Sequence, residues 1–102
     1  MPRFKELVRI ATLGRHFRDG LVSAVEIIDD GERWSVCVRY NEAAEGPKKR
    51  FLTSQRAPGP KGYANCSTAW KELSEHGILD AKIRKATPAE VSEIAENRWT
   101  NE

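Results

Sequence analysis

Residues 33 to 40 read RWSVCVRY, in which Trp34, Val36, Val38 and Tyr40 alternate strictly with Arg33, Ser35, Cys37 and Arg39. Successive side chains of an extended chain point to opposite faces, so this period of two predicts a strand with one large apolar face and one mixed face. Just upstream, LVSAVEII (21–28) is rich in β-branched residues and runs into Asp29, Asp30 and Gly31. A glycine behind two aspartates can take the positive φ of a tight loop, which predicts a β-hairpin centred on Asp30. Whatever else the chain does, it must cover the face carrying Trp34, Val36 and Val38.

The rest of the sequence supplies that cover. Residues 43–47 form a second turn region leading into KKRFLTSQR (48–56), and the cluster Pro58, Gly59, Pro60, Lys61, Gly62 turns the chain into a short strand at 62–65. A helix over 67–76 starts at a Ser or Thr cap, places Trp70 and Leu73 three apart, and stops at Gly77 with Ile78 behind it. Residues 78–84 alternate at Leu79, Ala81 and Ile83 and read as one more short strand. Thr87, Pro88, Ala89 and Glu90 form a capping box with proline at the first helical position, opening a helix that ends near Arg98 or Trp99. The N-terminal segment fits both periods, and the helix formers Lys5, Glu6, Leu7 and Arg9 favour a helix over residues 4–13. The expected fold class is therefore α+β: an antiparallel meander of three to four strands, with both C-terminal helices on the Trp34, Val36 and Val38 face.

At 102 residues, the chain has room for one domain, residues 1–102, and none for separate catalytic and binding domains. A hydrophobic share of 39% beside 31% charge excludes disorder, and two cysteines exclude a disulfide scaffold. Cys37 and Cys66 have no metal-site spacing and read as reduced thiols, although a bridge between them depends on geometry. No apolar run approaches the roughly 20 residues of a membrane helix. MPRFKELVRI is too charged for a secretory signal, so a cytoplasmic location without membrane contact is expected.

Catalytic patterns are absent. His16 and His76 stand in no local motif with a nucleophile or an acid, and His76 suits the negative end of its helix. His16, between Arg15 and Arg18, is better placed to contact a ligand than to move a proton, and a ligand-bound pocket containing it would be the observation to revive an enzymatic reading. No glycine-rich phosphate loop is present, and no cofactor or metal is expected.

The net charge of +2 conceals a partition. Residues 1–18 carry +4, 19–45 carry −5, 46–65 carry +5 with no acid at all, and 66–102 carry −2. In the acid-free stretch Lys48, Lys49, Arg50, Arg56 and Lys61 flank Phe51 and Tyr63, so cations and aromatic faces would converge where a nucleic-acid backbone and its bases lie. Arg39, Arg15 and Arg18 would extend this surface if the strand order brings them alongside. The opposing reading is a solvated edge hairpin whose lysines discourage strand-to-strand aggregation.

FLTSQRAPGPKGYANCSTAWKELSEHGIL (51–79) resembles a unit found in short accessory proteins of bacterial plasmids and other mobile elements: strand, Gly/Pro turn, short aromatic strand, capped apolar helix, then Gly with Ile or Val. Phe51, Leu52, Tyr63, Ser67, Trp70, Leu73, Gly77 and Ile78 carry the match. The resemblance implies partition, replication control or modulation of host systems. The leading expectation is thus a non-enzymatic regulatory protein that binds nucleic acid, DNA in the first place, through the basic hairpin. The alternative is a small phage or plasmid inhibitor or adaptor that blocks a host defence complex, using either the acidic 19–45 segment as a mimic of a phosphate backbone or the basic hairpin, with Asp29, Asp30, Glu32 and Trp99 as the candidate contacts.

Overall fold

The computed structural model describes residues 7–53 and 60–99. The expected hairpin forms its centre. Strands β2 (Val22–Asp29) and β3 (Trp34–Tyr40) pair antiparallel, with Val25 opposite Val38 and Ile27 opposite Val36. The loop between them is closed by its own aspartates: Asp29 Oδ1 accepts from Gly31 N at 2.9 Å, and Asp30 Oδ1 from Glu32 N at 3.0 Å and Arg33 N at 2.8 Å. Gly31, at φ +97°, takes the left-handed conformation that the turn requires.

Strand β4 (Lys49–Thr53) pairs antiparallel with β3, completing a three-stranded meander. The two outer strands differ from the expectation. β1 (Leu7–Arg9) lies parallel to β4, and β5 (Lys82–Lys85) lies parallel to β2, so the sheet is mixed, in the order β1-β4-β3-β2-β5. The N-terminal segment is accordingly divided. Val8 is drawn into the sheet and buried, and α1 (Ile10–Arg18) starts only after it; Phe4, Lys5 and Glu6 of the expected helix lie outside the described residues. Residues 62–65 form no strand of their own, because Tyr63 makes only a single bridge, to Trp34.

Helices cover both faces of the sheet. On one, Val25, Ile27, Val36, Val38, Tyr40 and Leu52 pack with Leu13 of α1 and with Ala69 and Leu73 of α2 (Cys66–Glu75). On the other, Ile28, Cys37 and Phe51 pack with Ile94 of α3 (Pro88–Trp99). This corrects the expectation that both C-terminal helices share the Trp34, Val36 and Val38 face. The mixed face holds Ile28 and Phe51 beside the small Ser35 and Cys37, enough apolar surface to need its own cover, and Ser35, Cys37 and Ile28 are all fully buried. Cys37 and Cys66 consequently belong to opposite sides of the sheet, and both are free thiols.

Helix ends follow their local chemistry. Asn65, one residue before the helix, is the cap of α2, its side chain accepting from Thr68 N at 2.8 Å. At the other end Ile78 N returns to Leu73 O at 3.0 Å around Gly77, and Ile78 is fully buried. The Thr87–Glu90 capping box forms reciprocally, at 2.9 and 3.2 Å. Helices α1 and α2 meet at Gly14, where a Cβ would stand 2.9 Å from the His76 carbonyl oxygen. Trp34 is half-buried against the core, whereas Trp70, three residues before the buried Leu73, is 39% exposed. Among the described residues, no helix is long and apolar enough to cross a membrane.

Candidate nucleic-acid interface

The apolar stripe Ile10, Leu13, Phe17 lays α1 on the sheet and brings its last turn, with Arg15, His16 and Arg18, to the end where β3 stops and β4 begins. There His16 Nδ1 lies 2.9 Å from the Tyr40 hydroxyl, with the two rings edge to face at 5.5 Å. From β4, the Arg50 guanidinium stacks over the Tyr40 ring at 3.9 Å. Its Nε donates to Pro47 O at 2.9 Å and its Nη2 to Glu45 O, while Lys48 Nζ donates to Ala44 O. These residues surround an open cleft of about 340 Å³ lined by His16, Leu21, Tyr40, Ala43, Ala44, Glu45 and Arg50. Contacts with Tyr40 thus join α1, through His16, to β4, through Arg50; Arg15, Arg18 and Lys48 belong to the same two segments but do not line the cleft.

The cleft lining carries one cation, Arg50, and one carboxylate, Glu45. Burial, followed by the positive charges of Arg50 and Arg15, lowers the His16 pKa below its ordinary 6.5. Burial also raises that of Tyr40, which stays a neutral hydroxyl. Asp19, Glu42 and Glu45 share this end and limit the excess of positive charge.

Alternation along the strands sends Lys49 and Arg39 to the other face. There Glu90, 2% exposed, accepts from both Arg84 Nη atoms at 2.8 Å and from Lys49 Nζ at 2.8 Å. Arg84 also reaches Glu26 at 3.0 Å, and Arg39 Nε stands 3.6 Å from the same carboxylate oxygen. The Arg84 hydrogen bonds hold the pKa values of Glu90 and Glu26 below the usual carboxylate range, and Glu90 in turn raises that of Arg84. Lys49 is thus engaged in fastening α3 to the sheet and Arg84 in fastening β5, while Arg39 pairs within the sheet, with Glu26 of β2.

Lys61 and Tyr63 lie at the opposite end of the sheet, beside Trp34. Tyr63 is buried and its hydroxyl donates to Glu72, which also takes Lys61 at 3.0 Å. Although burial opposes it, the Tyr63 and Lys61 hydrogen bonds hold Glu72 below the ordinary carboxylate value. Lys49 Nζ stands 5.8 Å from the centroid of Phe51 and Lys61 Nζ 4.8 Å from that of Tyr63, so each aromatic meets one cation, but both rings are buried and lie at separate places on the sheet. Arg56 and the side chain of Trp99 lie outside the described residues. Asp29 and Asp30 spend carboxylate oxygens on the hairpin turn, while Glu32 is exposed at its tip. Among the described residues, no three acids, histidines or cysteines gather as a metal site.

The residue that sequence reasoning missed is Tyr40. It was legible as the last apolar position of β3, but a strand end gives no sign that a helix will put a histidine from 24 residues upstream on its hydroxyl. Comparison with protein-family models, curated proteins and solved structures finds no match, so the functional reading rests on this geometry.

Proposed function

We propose that this protein is a non-enzymatic accessory protein that binds nucleic acid, DNA in the first place, by its phosphate backbone. Arg50 in the cleft, with Arg15, Arg18 and Lys48 on the two segments that meet at Tyr40, forms the contact surface. One observation carries the reading: the contacts of His16 and Arg50 with Tyr40 gather two basic segments, 15–18 and 48–50, at one end of the sheet. Arg15, Arg18 and Lys48 are exposed, and among the described residues no ion pair engages them. Lys49, Lys61 and Arg39 have carboxylate partners and contribute to the fold instead. The contact is to phosphates and not to bases, since Phe51 and Tyr63 are buried; sequence preference is therefore weak.

The test is fluorescence anisotropy with a labelled DNA duplex and single strand at low salt. The Arg15→Gln, Arg18→Gln, Lys48→Gln triple variant is expected to lose at least tenfold in affinity, whereas Lys61→Gln stays within about twofold of the parent. Equal losses in both, or no binding by the parent protein at low salt, defeat the proposal.

A further inference from the structure

The opposite border of the sheet is formed by β5, which pairs with β2 on one side and, among the described residues, with no strand on the other. Ala86 N donates to Asp29 O at 2.9 Å, so Ala86 and, by alternation, Arg84 direct their backbone groups towards β2. The N–H and C=O groups of Ile83 and Lys85 consequently point outwards. Arg84 Nη1 occupies the Lys85 carbonyl, leaving the Ile83 pair and the Lys85 N–H without a strand partner among the described residues.

Exposed apolar side chains accompany this edge. Ile83 is 61% exposed and stands level with the buried Ile27 in register, on the face covered by α1 and α2. On α2, Ala69 and Leu73 face the sheet, while Glu72 bonds Tyr63 and His76 abuts Gly14 of α1. At 100° per residue, Trp70 therefore occupies the flank of α2 turned towards β5. Leu79, 71% exposed, lies in the connection between them. Soluble proteins ordinarily keep a sheet edge free of such residues, because unpaired backbone groups beside apolar side chains recruit another strand.

Charge selects the occupant. The edge reads Lys82, Ile83, Arg84, Lys85, and an antiparallel copy of the same strand would set Lys82 against Lys85 at both ends, a like-charge pairing that weakens the contact. An acidic strand with an apolar residue beside Ile83 has the complementary pattern. We propose that β5 receives an extended, acidic segment of another protein as a sixth strand, with Ile83, Trp70 and Leu79 seating its apolar side chain. This surface is remote from the His16 cleft and independent of nucleic-acid binding, since β5 pairs with the hairpin end of β2.

The probe is a ten-residue peptide of alternating Val and Glu, titrated into the uniformly ¹⁵N-labelled full chain. Shifts are expected at the Ile83 and Lys85 amides and the Trp70 indole, with at least tenfold weaker binding of the Val/Lys peptide. Ile83→Pro removes an outward N–H without breaking a bond to β2, and should abolish binding while β2 and β3 amides keep their positions. Ile83→Thr, which keeps the backbone donor, should weaken it several-fold. Equal binding of both peptides, shifts confined to other surfaces, no binding at millimolar peptide, or a concentration-dependent dimer that Ile83→Pro abolishes would each overturn the proposal.

Discussion

Replacing Glu90 by Gln tests how far one carboxylate organises the α3 face. Glu90 is 2% exposed and neutralises Arg84 through two bonds of 2.8 Å and Lys49 through a third. The amide keeps an acceptor for Thr87 N but removes the charge, leaving Arg84 with Glu26. Removing one partner of a buried pair costs about 3–5 kcal/mol, and the lower figure applies because the Arg84 and Lys49 side chains, 28% and 36% exposed, recover some hydration. For a domain of this size, about 3 kcal/mol lowers Tm by roughly 12–24 °C. The pH dependence has a definite sign. Glu90 titrates well below its ordinary 4.5 in the folded protein, so its stabilisation is complete above that value and is lost as pH falls towards the folded pKa. The difference between parent and Glu90→Gln, measured by urea unfolding from pH 7 to pH 3, should therefore be constant at neutral pH and shrink below about pH 4.5. A variant within about 0.5 kcal/mol of the parent at pH 7, or a difference unchanged down to pH 3, would refute the assignment.

Other consequences follow from single contacts. Gly14→Ala places a Cβ 2.9 Å from the His76 carbonyl and should cost about 1–3 kcal/mol by forcing α1 and α2 apart, read from thermal unfolding; an unchanged Tm removes Gly14 from the helix contact. Burial pushes the Cys37 thiol up to about 11, so at pH 8 a thiol reagent should label the half-buried Cys66 first and Cys37 only on unfolding; prompt labelling of both contradicts the packing of α3. Since His16 titrates below 6.5 and a bound phosphate would raise its pKa, DNA binding should strengthen as pH falls from 7.5 to 5.5, and His16→Asn should flatten that response; an identical response in the variant excludes His16 from the contact.

The hairpin, the β4 connection, the Gly77 stop and the Thr87 capping box were legible because each depends on residues within a few positions of one another. Strand partners were not. The parallel placements of β1 and β5 arise from contacts between distant segments, Leu7 with Phe51 and Ile83 with Ile27, that no local pattern encodes. Glu90 was readable as a cap, but its larger part, binding Lys49 and Arg84, required knowing that α3 covers the Cys37 face. That same fact divides the basic stretch, because alternation in β4 gives Lys49 to the α3 face and Arg50 to the cleft. A run of cations in sequence became two groups with different work.

The salt dependence of DNA affinity tests the central claim most directly. If Arg15, Arg18, Lys48 and Arg50 each neutralise a phosphate, log K should fall linearly with log salt with a slope of about −3 to −4, and the Arg15→Gln, Arg18→Gln, Lys48→Gln triple variant should retain a slope near −1. A parent slope near zero, or a triple variant with the parent slope, would contradict a phosphate-binding surface at this end of the sheet.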